Sequence, residues 1–138
     1  MRFVLDTSVA MAWCFEEEAT PYTRRILDLL GRGEGVVASL WPFEVANVLA
    51  VAIRHRRLKA AQTAEFLTLV SVLPIHVEAV SAGHIFEKVF PLAREQGLSC
   101  YDAAYLELAL RLGLPLATLD KALRRAAARV GAPLVSEI

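Results

Sequence analysis

The chain has little cysteine. Only two of its 138 residues are Cys, Cys14 and Cys100, far apart and with no C-x-x-C pair. That excludes a disulfide scaffold and a cysteine-rich zinc site, and both thiols read as reduced. No apolar run is long enough to cross a bilayer; the longest, from Phe43 to Ile53, is broken by Glu44 and Asn47. A secretory leader is not expected, because Asp6 interrupts the opening too early. The cytoplasm is therefore the expected location, with no membrane partner. An excess of one charge is also missing, since 15 Lys and Arg face 15 Asp and Glu. Any nucleic-acid contact must then come from how the charges are distributed. With no repeat, low-complexity segment or linker, the length suits one domain over residues 1–138.

What the chain does have is apolar side chains, at 56% of residues and a mean hydropathy of +0.44. This is more than one small core consumes, and it points to a partner or an oligomer interface. The pattern alternates. Residues 2–6, 35–38, 75–77 and 114–118 read as strands, with a possible fifth at 133–135. Helices are expected over 9–15, 21–30, 42–55, 60–72, 81–96, 100–112 and 121–129, the 81–96 segment bent at Pro91. Strands alternating with helices give an α/β fold, a short parallel sheet of four to five strands flanked by helices. Ligands of such open sheets bind beyond the carboxyl ends of the strands.

Acids gather where that edge should be. Asp6 ends the first strand, Glu44 opens the helix after the second, and Asp120 follows the fourth directly. Between Val36 and Ile53 the only polar side chains are Ser39, Glu44 and Asn47, and Glu44 and Asn47 share one helix face. A carboxylate on so apolar a helix is costly unless it is paired or binds a metal. Capping is the plainer reading of each acid taken singly: Asp6 before the first helix, Ser99 with Asp102 as an S-x-x-D box, Asp120 before the last helix. With two helical segments between strands two and three and two more between strands three and four, the pattern alone does not bring Asp102 to the shared edge.

Three segments then carry a family resemblance over nearly the whole chain. FVLDTSVAMAWCFEEE is a hydrophobic strand ending in D-x-S before an acid-containing helix, WPFEVANVLA is an E-x-x-N-x-L segment, and LSCYDAAYLELALRLGLPLATLDKAL holds Y-D-A-x-Y-L-x-L-A and then L-A-T-x-D. In this order they resemble a PIN domain, and more closely a VapC-type toxin. The resemblance implies a single PIN-like α/β domain and a metal-dependent endoribonuclease that acts as the toxin of a type II toxin–antitoxin pair. Matched residue by residue, it implies an acidic site at Asp6, Glu44, Asp102 and Asp120, with Ser8, Asn47 and Thr118 as polar supporters. It also implies an RNA substrate, a homodimer and a cognate antitoxin protein. Carboxylates with no Cys or His at ligand spacing suit a hard cation, Mg²⁺ or Mn²⁺, with Asp6 and Asp102 as first ligands and Glu44 and Asp120 as further ones. No acid stands two residues after Asp120, where some of the wider nuclease group carry one, so one-metal and two-metal sites both stay open.

Other residues read more plainly. His55, His76 and His84 sit in unrelated contexts. Arg54, Arg56, Arg57 and Lys59 suit a solvated helix end, with RNA phosphate contact as the alternative, and the same holds for Arg124, Arg125 and Arg129. Trp13, Trp41, Tyr101 and Tyr105 suit packing better than base stacking, and Glu107 with Arg111 an ordinary i,i+4 pair. A phosphoryl-accepting receiver domain would need an Asp at the end of the third strand, where Val77-Glu78 stands, and a haloacid-dehalogenase-like phosphatase a second Asp at Ser8. The stronger alternative is a non-catalytic PIN-fold module that only binds a partner.

Overall fold

The computed structural model describes residues 1–136. Four strands, β1 (Arg2–Leu5), β2 (Glu34–Ala38), β3 (Ile75–Glu78) and β4 (Leu116–Ala117), form one parallel sheet in the order β3-β2-β1-β4. Successive strand residues face opposite sides of a sheet. Phe3, Val4, Leu5, Val36 and Val37 are all fully buried, so helices cover both faces. The chain leaves β1 at the centre, goes first to one side and returns to the other for β4. The switch point is therefore the carboxyl ends of β1 and β4.

The helices are α1 (Thr7–Cys14), α2 (Pro21–Leu30), α3 (Trp41–Arg54), α4 (Ala60–Val72), α5 (Ala82–His84), α6 (Phe90–Gln96), α7 (Cys100–Leu112) and α8 (Lys121–Val130). Local chemistry sets their ends. Thr20 caps α2, accepting from the Thr23 amide at 3.2 Å, and Pro21 opens the helix where its missing N–H costs nothing. Gly113 closes α7 with φ +65°, a left-handed turn that suits glycine. At Gly35 a Cβ would stand 2.9 Å from the Leu30 side chain, so glycine there lets α2 lie close against β2. No helix among the described residues is long and apolar enough to cross a membrane.

Three expectations change in detail. The helix expected over 81–96 is three pieces, α5, a π-helical turn at Ile85–Val89, and α6. Pro91 lies in the first turn of α6, so the break falls upstream of it rather than at it. The fifth strand is a single parallel bridge, Leu116 to Leu134. β4 is only two residues long, because Pro115 has no N–H to give a ladder and the chain turns into the site at Thr118. The extra helical segments pack on helices, α4 against α1 and the π-turn and α6 against α7, while α7 lies on β1, β2 and β4. The start of α7 is thereby free to reach the same edge as the ends of β1 and β4.

Candidate active site

Asp6 is the first residue past β1 and is 5% exposed. It makes no side-chain cap to α1, so the capping reading does not describe it. Its Oδ2 accepts instead from the hydroxyls of Thr118 at 2.7 Å and Ser8 at 2.8 Å. Burial still outweighs these bonds and raises the carboxyl above its ordinary range. Ser8 and Thr118 are fixed in turn: the Ser8 hydroxyl accepts from the Leu119 amide at 3.0 Å, and the Thr118 hydroxyl from the Asp120 amide at 3.0 Å. The turn after β4 is thus tied to the turn after β1 through two short hydroxyl side chains.

Glu44, in the first turn of α3, has partners that sequence reasoning missed. Thr7 donates to its Oε1 at 2.9 Å and the Tyr105 hydroxyl to the same oxygen at 2.5 Å, with 3.0 Å between the two hydroxyls. Tyr105 is fully buried, as a core reading expects. Burial, and next the bond to Glu44, raise its phenol far above the ordinary value, so it stays a donor. The available signal was the rule that a buried tyrosine needs a hydroxyl partner. Tyr105 stands three residues after Asp102 on α7, so its partner had to lie near that acid.

Asp102, in the first turn of α7, has its amide capped by Ser99 at 3.1 Å. Burial pushes its carboxyl up to about 6, and the negative charges of Asp120, Asp6 and Glu44 add to that in this order. All three other acids therefore act on Asp102. Asp120 does cap α8, accepting from the Leu123 amide at 2.8 Å through Oδ1. Capping and membership of the cluster are compatible, because a carboxylate has two oxygens.

Asn47, the remaining predicted supporter, lies one turn along α3, is exposed, and has no side-chain hydrogen bond among the described residues. No group of three or more His, Cys, Asp or Glu side chains among the described residues is gathered tightly enough to be a ready-made metal cage. Mg²⁺ does not require one, since it keeps several waters and takes one or two carboxylates. The donor set fits such an ion: all oxygen, two carboxyls held above their ordinary range, and one of them 5% exposed.

Away from the acids, Arg57 is spent on Glu17 at 2.9 Å and Glu18 at 3.1 Å and lies over the Phe15 ring. Arg124 donates to the Thr118 carbonyl at 2.7 Å. Glu107 is more than an exposed i,i+4 partner. It is buried, bonding Arg111 at 3.0 Å and His84 at 2.7 Å.

Comparison with known proteins agrees with this geometry. Residues 3–129 match the family described as PIN domain. The chain is 30% identical over 127 residues to Ribonuclease VapC3 of Pyrobaculum aerophilum, covering 89% of this chain and 92% of the relative. Among solved structures it resembles a Pyrobaculum aerophilum protein, with a TM-score of 0.70 at 23% identity over 91% of this chain and 84% of that one. It also resembles VapBC2 from Rickettsia felis bound to a promoter DNA fragment, with a TM-score of 0.67 at 14% identity over 99% and 98% of the two chains. The buried acid at the switch point, the acids that act on Asp102 and the match along almost the whole chain have one reading in common: the chain belongs to the PIN-domain family, in its VapC-type branch.

Proposed function

We propose that the chain is a Mg²⁺- or Mn²⁺-dependent endoribonuclease that hydrolyses RNA phosphodiester bonds, and the toxin of a type II toxin–antitoxin pair. The observation that carries this is Asp102, a carboxyl raised to about 6 by burial and by the charges of Asp120, Asp6 and Glu44. A fold gains nothing by setting four acids against one another; a cation makes the arrangement favourable. The 30% identical relative is named a ribonuclease, and a Klebsiella pneumoniae structure of the same fold, with a TM-score of 0.65 at 16% identity, is titled a toxin–antitoxin complex.

In this reading Asp6 and Asp102 hold the metal. A bound Mg²⁺ lowers the pKa of a coordinated water and offsets charge on the phosphate oxygens. Thr118 and Ser8 fix the Asp6 carboxylate, so its orientation does not depend on the substrate. Thr7 and Tyr105 occupy one oxygen of Glu44 and leave the other to accept a proton from the attacking water or to hold it in line. Asp120 has Oδ2 left for the same edge while Oδ1 caps α8.

The proposed setting is a cytoplasmic homodimer restrained by its antitoxin. Large apolar side chains stand exposed on two helices, Phe43 (82%) and Ile53 (45%) on α3, Leu67 (48%) and Val72 (74%) on α4. An antitoxin segment laid along them would act by helix-in-groove recognition. An arginine from it would pair the site carboxylates in two-point fashion.

Purified protein should cut single-stranded RNA in millimolar Mg²⁺ or Mn²⁺ and stop in EDTA. Expressed with its genomic neighbour, it should purify as a complex without activity. The loose spacing of the acids favours a second reading, a non-catalytic partner-binding module. RNA left intact in both metals, with the complex still formed, would establish that reading instead. A chain that purifies alone and is harmless to its host would remove the toxin assignment.

A further inference from the structure

We infer that the groove along α7 is a nucleobase pocket, which seats one base of the RNA beside the scissile phosphate; the inference rests on the nuclease reading above. The groove has a volume of about 180 Å³. One wall is a stripe of α7 at helical spacing, Tyr101, Ala104, Leu108 and Arg111. Ile85 and Val89 of the π-helical turn form the facing wall. Its near end is bounded by Ser39 and Leu40, which lead from β2 into α3 and Glu44. Tyr101 immediately precedes Asp102. The groove is therefore continuous with the acid cluster at both helix starts and runs away from it along α7.

Its size and lining select the occupant. An engineered cavity of about 150 Å³ holds one benzene ring, and pockets for drug-sized ligands begin at about 300 Å³. This groove accepts one ring system and little more. The aliphatic walls suit the faces of a flat ring. Tyr101, 66% exposed, offers a stacking surface that gains most when covered. Glu107 and Arg111 also line the groove and supply acceptors and donors for a ring edge. They are held for that task, bonded to each other at 3.0 Å, with Glu107 also bonded to His84 at 2.7 Å. Single-stranded RNA is recognised in this way, by an unstacked base that packs on an aromatic ring and hydrogen-bonds at its edge. An apolar side chain of a partner protein would leave the Glu107–Arg111 pair under it unused, so the lining favours a base.

The test uses a short single-stranded RNA carrying 2-aminopurine, titrated against the metal-free protein by fluorescence. Sequencing of the cut ends in Mg²⁺ and the mass by light scattering complete it. Tyr101→Ala removes the stacking face at an exposed position, and Ala104→Leu fills the groove from a half-buried one. Each should weaken RNA binding about tenfold, the effect of losing one base–aromatic stack. Each should also erase the base preference at one position beside the cut and raise KM more than it lowers kcat. The mass should not change. Unchanged binding and preference would overturn the pocket, as would a changed mass or a loss of antitoxin binding with RNA binding intact. A wild type that binds the probe through Tyr101 but cuts nothing would remove the nuclease reading and keep the pocket. Cutting with no base preference and no response to either substitution would do the reverse.

Discussion

Thr118 donates its hydroxyl to Asp6 at 2.7 Å across 112 positions of sequence. This bond joins the end of β4 to the end of β1 at the point where the sheet reverses its order. The same hydroxyl accepts from the Asp120 amide at 3.0 Å, so one side chain sets the orientation of two of the four acids.

Thr118→Val keeps the shape and removes the hydroxyl. A buried carboxylate then loses its shortest donor, and the Asp120 amide loses its acceptor. Bonds to charged groups contribute about 1.5–3 kcal/mol, so urea unfolding should show a loss of about 2 kcal/mol. Cleavage should fall with it. A variant as stable as wild type would show that Asp6 is held without Thr118.

Asp6→Asn and Asp102→Asn should separate stability from activity. An amide keeps the shape, loses the charge and cannot replace a carboxylate on Mg²⁺. Both variants should lose RNA cleavage. At neutral pH the metal-free Asp102→Asn protein should melt higher than wild type, since the repulsion from Asp120, Asp6 and Glu44 disappears. Millimolar Mg²⁺ should raise the melting temperature of wild type and leave both variants unmoved. Wild-type turnover in either variant, or an equal Mg²⁺ shift, would remove these two residues from the metal site.

The pH dependence follows from the same acid. The folded Asp102 carboxyl titrates at about 6, against an ordinary value of 3.8. Between those values the folded state binds more proton than the unfolded state, so stability falls as pH rises through the window. Asp6, also raised, acts in the same direction. Metal-free protein should therefore be more stable at pH 4 than at pH 7 as far as these acids govern it, and Asp102→Asn should flatten the slope. Mg²⁺ must displace the Asp102 proton, so its affinity should weaken as pH drops below about 6. Melting curves across pH, with and without Mg²⁺, check both signs. A wild-type slope identical to that of Asp102→Asn would count against the coupling.

The sequence revealed most where one residue type carried one physical consequence. The strands were legible because a parallel strand buried on both sides is a continuous apolar run, as in Phe3-Val4-Leu5. Asp6 and Asp120 were legible because each directly follows such a run, and Glu44 because it is an acid on an apolar helix. Asp102 was not, because its place depends on where α4, α5 and α6 pack, and no local pattern encodes that. The π-turn at Ile85–Val89 was hidden for a similar reason: Pro91 announces a break but not on which side the helix absorbs it. Thr7 was set aside as a capping residue and Tyr105 as core. Both descriptions fit their positions, and neither shows that two hydroxyls meet on one carboxylate oxygen.

Tyr105→Phe tests that meeting. The ring stays in the core and only the hydroxyl goes, so no cavity forms and the fold persists. Glu44 keeps the Thr7 bond at 2.9 Å and loses the one from Tyr105. The carboxylate is then free to turn about its side chain, which spoils the placement of an attacking water more than the binding of RNA. The expected result is a kcat about tenfold lower with KM little changed, the size of one misplaced general-base contact. Stability should fall by about 1–2 kcal/mol, because the charged acceptor keeps one donor and some access to water. Thr7→Val should give the same pattern, and the double variant less than the sum of the two, since both act through the same oxygen. Equal losses in KM and kcat, or full additivity, would mean that Tyr105 serves the core alone and that Glu44 is positioned by something else.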